Sequence, residues 1–309
     1  MLLHHDLVTA PDATPTRAVV FLHGILGSGA NLRSHARRFV QARPEFLAVL
    51  IDLRGHGNSL DVEGPDTVTS AAHDLAQTAQ SWSVPVHAVV GHSFGGKVAL
   101  AFARVQPGIA AVMTLDSAPG PSTGLGTGPR ADARGSETTL EVLTVLETLQ
   151  QAWPDRDAFI AELERRGLGR MLGQWLAMNL ELRPEGWMFR LSLPRIHALL
   201  EDYFQLDLWP VVEQAAHTRQ GPRLHLVIGT KSQVYSADDR TRAHTLEAES
   251  EGHVTVDLLN AGHWVHVEDP QGLSELLLKR LPSFPSPPRG EGQGEGEAFN
   301  RTDSSVSEP

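Results

Sequence analysis

The stretch Gly91-His92-Ser93-Phe94-Gly95-Gly96 places a serine, Ser93, in the pattern G-x-S-x-G. The apolar run Val86-His87-Ala88-Val89-Val90 comes directly before it. A run rich in helix formers, Lys97-Val98-Ala99-Leu100-Ala101-Phe102-Ala103-Arg104, comes directly after. Strand, tight turn and helix in that order form the context in which such a serine becomes a nucleophile elbow. So sharp a turn strains the backbone at the serine, and side chains at the flanking positions would collide with strand and helix. The turn lifts the hydroxyl clear of the sheet. It also sets the unpaired N–H groups of a helix N-terminus beside the hydroxyl. The plainer reading is a Gly-rich turn whose serine merely caps the helix. The flanks and the partner residues below favour the nucleophile.

Working outward, apolar and β-branched runs recur at 18–22, 46–53, 86–90, 109–115, 223–228 and 253–259. Several are apolar at nearly every position, as in a parallel sheet covered on both faces. Helical patterns lie between them at 31–42, 69–81, 96–105 and 271–281. The last opens on Asp269-Pro270, an N-cap followed by proline at the first helical position. This alternation predicts an α/β fold, a mostly parallel doubly wound sheet with its ligand site at the carboxyl ends of the strands. Residues 2–9 are expected to add an antiparallel edge strand.

The alternation breaks between residues 121 and 207. A Gly-rich loop over 120–135 leads into helical segments. Leu140, Leu143, Val145, Leu146 and Leu149 form one apolar stripe. Phe159, Ile160 and Leu163 begin another, and Met171, Trp175, Met178 and Leu182 follow. Most of the large aromatics fall here or just after, among them Trp187, Phe189 and Tyr203. The expected organisation is therefore a core of 1–120 and 208–282, a helical cap of 121–207 inserted after the strand that follows the Ser93 helix, and a tail of 283–309. The tail is Pro-, Gly- and Glu-rich and reads as disordered.

Composition narrows the function. The chain has 309 residues, 41% of them apolar, and a net charge of −11, so a nucleic-acid partner has no electrostatic support. It has no cysteine, which excludes disulfides and thiolate catalysis. Of the fifteen histidines, only His4-His5 and His263/His266 are close pairs, and no H-E-x-x-H occurs. The histidines read mostly as surface or loop residues, with no metal site. Residues 1–6 lack the basic start and long apolar core of a signal peptide, and no apolar run approaches a membrane span. A cytoplasmic location is the expectation.

A serine hydroxyl needs a base to take its proton. The candidate is His263, in Asn260-Ala261-Gly262-His263-Trp264-Val265-His266, a loop that follows the last expected strand. An oxyanion hole needs two donors on the same side of the sheet. One is the N–H of Phe94. The other should come from His23-Gly24-Ile25-Leu26-Gly27-Ser28-Gly29, with Ile25 first and Leu26 second. A phosphate-cradling loop is the competing reading, but the Walker lysine and the G-x-G-x-x-G spacing are missing.

These residues resemble the α/β-hydrolases over about residues 2–282. The match comprises His23-Gly24, Asp52-Leu53-Arg54-Gly55-His56-Gly57-Asn58-Ser59, the elbow at Ser93 and the Gly262-His263 loop, in the family's order. Within the family the chain is most similar to the small YbfF-like bacterial esterases. Leu115-Asp116-Ser117-Ala118-Pro119, Trp187-Met188-Phe189 and Ser232-Gln233-Val234-Tyr235-Ser236 carry that likeness. The resemblance implies the α/β-hydrolase fold and a Ser-His-Asp serine esterase or thioesterase acting on short to medium acyl chains, without a cofactor. Leu26, Trp187, Phe189 and Trp264 would contact the small-molecule acyl ester or thioester.

One position departs from the common pattern. Most of the family carry the triad acid in a G-x-x-D loop, and here that loop reads Gly229-Thr230-Lys231-Ser232. The YbfF-like enzymes resemble this chain there, and in them the acid comes from the strand before the cap, where Asp116 stands. Asp116 ends the run Val112-Met113-Thr114-Leu115, which puts it at the carboxyl edge of the sheet. Asp238, Asp239 and Asp257 are the rivals, and Ser232 is an auxiliary candidate. Related chemistry on the same scaffold stays open: C–C hydrolysis, perhydrolysis, a menaquinone-pathway-type lyase, or a binding module that kept the fold.

Overall fold

The computed structural model describes residues 1–121 and 139–281. The tail expected at 283–309, and all but the first two residues of the Gly-rich loop, lie outside these residues. In chain order the strands are β1 (His5–Val8), β2 (Arg17–Leu22), β3 (Phe46–Ile51), β4 (Val86–His92), β5 (Ala111–Leu115), β6 (Leu180–Arg183), β7 (Gly186–Phe189), β8 (Arg223–Gly229) and β9 (Val254–Leu259). Among the described residues seven of them make one sheet, in the order β1-β3-β2-β4-β5-β8-β9. Every neighbour pair is parallel except β1 with β3, the antiparallel edge.

The continuous apolar runs have a direct cause. β3, Phe-Leu-Ala-Val-Leu-Ile, is buried at all six positions, because helices cover both faces. On one face the helices Val68–Ala79 and Phe94–Val105 bury Val68, Leu75, Val98 and Phe102 with Val20, Leu22 and Val49. On the other, Arg33–Ala42 and Pro270–Arg280 bury Phe39, Val40, Leu273 and Leu277 with Val19, Phe21 and Ala48. Each such side chain contributes about 2 kcal/mol of burial. Side-chain caps start two of these helices: Thr67 accepts from the Ser70 N–H, and Asp269 accepts from the Gly272 N–H.

Between β5 and β8 the described chain forms helices Thr139–Glu147, Arg156–Arg165 and Arg170–Leu176, a short 3-10 turn Ala177–Asn179, the β6–β7 hairpin, and helices Leu193–Gln205 and Trp209–Thr218. The hairpin corrects an expectation. Trp187 and Phe189 sit on β7 rather than on a helix. The turn needs Gly186, at φ 123°, where a Cβ would stand 2.6 Å from the Trp153 carbonyl oxygen. That close approach lets Trp153 and Trp187 exchange two main-chain hydrogen bonds, of 2.9 and 2.8 Å. The Met171–Trp175–Met178–Leu182 stripe is also not a buried face. Met171, Met178 and Leu182 are exposed. Helix Arg170–Leu176 instead turns Gly173 and Leu176 inward, with the Gly173 position against Ile160.

One buried side chain ties this segment to the sheet. Lys97, on the helix after Ser93, donates from Nζ to the carbonyls of Gly120 at 2.7 Å, Tyr203 at 2.6 Å and Leu206 at 2.8 Å. Burial pushes its ammonium down to about 8, with Asp207 and Asp202 acting in the opposite direction.

Candidate active site

Ser93 joins β4 to the helix Phe94–Val105 at φ 51° and ψ −117°, a backbone conformation that is strained for a residue with a side chain. The glycines around it are required by contact. A Cβ on Gly91 would lie 2.1 Å from the Gly95 oxygen, and one on Gly95 would lie 2.5 Å from the His23 oxygen. Ser93 does not cap its helix through its side chain. Its Oγ instead faces His263 Nε2 at 3.1 Å.

His263 arrives on the loop after β9. That loop is anchored by the Lys231 N–H on the Ala261 carbonyl at 2.9 Å and by the Gly262 N–H on Glu268 Oε2 at 2.8 Å. Two buried histidines brace its main chain. His92 Nε2 donates to the His263 carbonyl at 2.9 Å, and His35 Nε2 donates to the His266 carbonyl at 2.8 Å. Burial, reinforced by His266 and His263, holds His92 well below the usual histidine value. Burial with His35 and His263 pushes His266 to about 3. Both rings therefore stay neutral, with the His92 ring tilted against His263 at 4.8 Å and edge-on to His266 at 4.5 Å.

Asp116 follows β5 and is fully buried, at φ 47°. Its N–H continues the sheet by donating to the Val227 carbonyl at 2.8 Å. Its Oδ2 stands 2.7 Å from His263 Nδ1 and accepts from Ser232 Oγ at 2.5 Å, while Oδ1 accepts from the Gly229 N–H at 3.0 Å. A carboxylate can only accept, so His263 Nδ1 carries the proton and Nε2 is left to accept from the Ser93 hydroxyl. The other carboxylates do not enter this chain of contacts. Asp239 closes a capping box with Ser236 and accepts from Trp209 Nε1. Asp238 is in the first turn of the same helix, and Asp257 pairs with Arg280.

On the far side of Ser93 lies the loop after β2. The Leu26 N–H is committed to His56 Nε2 at 3.0 Å. Among the described residues no protein acceptor pairs with the N–H of Ile25 or of Phe94. Two neutral imidazoles interlock beneath this loop. His23 Nδ1 donates to the Gly24 carbonyl at 2.7 Å, while its Nε2 accepts the Leu53 N–H at 3.0 Å. His56 Nδ1 donates to the Arg54 carbonyl at 2.9 Å. Burial first, and His23 next, push His56 to about 3. A protonated Nε2 could not accept, so neutrality is a condition of this lock.

The remaining expected residues fall in three places. Trp264 packs edge-on to Trp175 at 4.7 Å, and its ring centre is 6.0 Å from that of His263. Trp187 lies under the Arg156 guanidinium and Phe189 stacks on Phe159, both contacts within the inserted segment. Leu26 is buried in the core. Tyr203, counted in the sequence only among the aromatics at the end of the insertion, comes close to the site. Its ring is 6.1 Å from Phe94 and lies under Lys97 Nζ at 4.6 Å. Burial pushes its phenol up to about 12, with the neighbouring Ser117 and Ser93 hydroxyls acting the other way. An aromatic at the end of the insertion was the available signal. Among the described residues no group of three or more His, Asp or Glu side chains is placed to hold a metal ion, and no helix is long and apolar enough to cross a membrane.

The comparisons with known proteins agree with this architecture. Residues 19–276 match the model of the alpha/beta hydrolase family. The sn-1-specific diacylglycerol lipase ABHD11 of Danio rerio is 29% identical over 275 residues, covering 87% of this chain and 79% of the relative. A 2-succinyl-6-hydroxy-2,4-cyclohexadiene-1-carboxylate synthase of Yersinia pestis is 34% identical, but over only 82 residues, 26% of this chain and 28% of the relative. A solved structure described as a marine microorganism esterase superposes with a TM-score of 0.71 at 21% identity, covering 90% of this chain and 98% of its own. With its parallel sheet, its serine turn after β4 and its match along most of the length, the chain belongs to the alpha/beta hydrolase family.

Proposed function

We propose that this protein is a serine hydrolase that cleaves carboxylic esters or thioesters of short to medium acyl chains through an acyl-enzyme on Ser93. One observation carries the reading: the unbroken contact from Ser93 Oγ to His263 at 3.1 Å and from His263 to the buried carboxylate of Asp116 at 2.7 Å. In this reading His263 Nε2 takes the Ser93 proton as Oγ attacks the acyl carbon. Asp116 holds the Nδ1–H tautomer and stabilises the imidazolium that forms. The N–H groups of Ile25 and Phe94 receive the negative oxygen. His263 then protonates the departing alkoxide or thiolate. A water, deprotonated by the same nitrogen, releases the acid and restores Ser93. The lipase name of the Danio rerio relative supports an ester substrate, as does the likeness of the acid's placement to that of the YbfF-like esterases.

The test is a panel of p-nitrophenyl esters and acyl thioesters of graded chain length, with a fluorophosphonate probe alongside. Ser93→Ala and His263→Ala should each lower kcat by several orders of magnitude with the fold intact. Ser93→Ala should also abolish labelling. Ester hydrolysis near the wild-type rate in Ser93→Ala would refute the assignment. The short match to the Yersinia pestis synthase supports a second reading, lyase chemistry at the same serine. Labelling of Ser93 without hydrolysis of any panel member would favour it.

A further inference from the structure

Leu26 is a non-glycine residue held in the left-handed region, at φ 61°. Such a conformation persists only when its surroundings over-determine it. Here both peptide planes of the residue are held. The N–H of the plane before it goes to His56 Nε2 at 3.0 Å. The carbonyl of the plane after it accepts from Asn179 Nδ2 at 2.8 Å. The next peptide upstream, which carries the unpaired Ile25 N–H, is held by its own carbonyl: Gly24 O accepts from His23 Nδ1 at 2.7 Å and from the Gly27 N–H at 3.1 Å.

Asn179 differs from the other holders. His23 and His56 belong to the sheet's own loops, whereas Asn179 comes from the inserted segment, 153 residues along the chain from Leu26. It is buried, and its main-chain carbonyl is taken by the Arg190 N–H at 3.0 Å, next to the hairpin. The amide is therefore fixed by the insertion and aimed at the loop.

We propose that Asn179 is a positioning residue for the oxyanion loop. Its amide, carried in by the inserted segment, holds the Leu26 carbonyl and so keeps the Ile25 N–H aimed at the substrate oxygen. Docking of the insertion and completion of the oxyanion hole are then a single event. This rests on the serine-hydrolase reading above. The chemistry is one-sided. Leu26 O can only accept and the Asn179 amide donates, so a carboxylate at 179 would face the carbonyl with no proton to offer.

The experiment compares the full-length wild type, Asn179→Ala and the isosteric Asn179→Asp. The first readout is steady-state hydrolysis of a short p-nitrophenyl ester, with inhibition by a trifluoromethyl ketone that forms a tetrahedral oxyanion adduct on the serine. Misplacing one donor by a fraction of an ångström should lower kcat by about tenfold to a hundredfold. KM should stay within about threefold, and ketone affinity should fall in step with kcat/KM. A purely structural role would not produce that split. The second readout needs no activity: hydrogen exchange of the peptide spanning residues 22–29 should rise in both variants. Asn179→Leu, close in shape, uncharged and unable to donate, serves if Asn179→Ala does not fold. Unchanged kcat and unchanged exchange in a folded variant would overturn the proposal, as would a loss confined to KM. Faster exchange with no Ser93-dependent turnover in the wild type would support the positioning role and defeat the hydrolase reading instead.

Discussion

Replacing Asp116 by asparagine tests the site through a constraint specific to this structure. An asparagine has one oxygen and one amino group to place where the carboxylate has two oxygens. The Oδ1 position faces the Gly229 N–H at 3.0 Å, a donor, so the amide oxygen must stay there. The amino group is then forced into the Oδ2 position, 2.7 Å from His263 Nδ1. Nδ1 has to become the acceptor, the ring proton moves to Nε2, and Nε2 can no longer take the Ser93 proton. Ser232 adds to the disturbance. Its hydroxyl, which donates to Oδ2 at 2.5 Å and already accepts from the Val234 N–H, loses its acceptor. A wrong tautomer of this kind costs about ten-thousandfold in kcat, or about 5 kcal/mol of transition-state stabilisation. The loss in folding stability should be far smaller, about 1–2 kcal/mol for the unmade hydroxyl bond. The assay is steady-state hydrolysis of p-nitrophenyl butyrate, paired with a thermal melt to show that the variant is folded. Asp238→Asn and Asp239→Asn should stay near wild type. A folded Asp116→Asn enzyme that keeps kcat within tenfold of wild type would refute the tautomer argument.

Two further outcomes follow from the buried polar groups. His56 and His266, each pushed to about 3, and His225, pushed to about 4, are neutral in the folded chain. Their stabilising effect is complete above the ordinary value of 6.5 and is lost as pH falls towards the folded values, at about 2 kcal/mol per ring by pH 5. Against a typical total of about 5–15 kcal/mol, the melting temperature should drop steeply between pH 6.5 and 5, and His56→Gln should flatten the slope; a flat profile would sink this account. Lys97→Met should lower the melting temperature by about 5 °C, because three buried carbonyls lose their donor while the cost of burying the ammonium is relieved; a shift below about 1 °C would contradict the tether.

The sheet was legible in the sequence because burial on both faces leaves a mark that needs no context. An all-apolar run such as Phe46–Ile51, six residues long, fits little besides a strand covered on both sides. Ser93 was legible for a similar reason, since glycines on both sides of a strand-to-helix serine report contacts that a Cβ would break. Asp116 stood out by its place at a strand end. The hairpin did not, because β6 and β7 are four residues each and their apolar residues also fit a helical period. The histidine braces left no trace either. A histidine that spends its life neutral among main-chain carbonyls is written with the same letter as one on the surface, and His23, His35, His56 and His92 proved buried. Asn179 was illegible because its partner lies 153 residues away and is a carbonyl, which any residue supplies.

The three carbonyls that meet at Lys97 have a consequence for how this protein can diversify. Gly120 lies where the chain leaves the sheet, and Tyr203 and Leu206 lie where it returns. Whatever is built between them starts and ends at one point, so the sheet meets the excursion as a closed loop of fixed footprint. The entropy of closing such a loop grows slowly, by about 0.6 kcal/mol for each doubling of its length. The lysine thus sets where any such excursion must join the sheet, while Asn179, from within it, keeps a hold on the Leu26 carbonyl that a replacement would have to supply again.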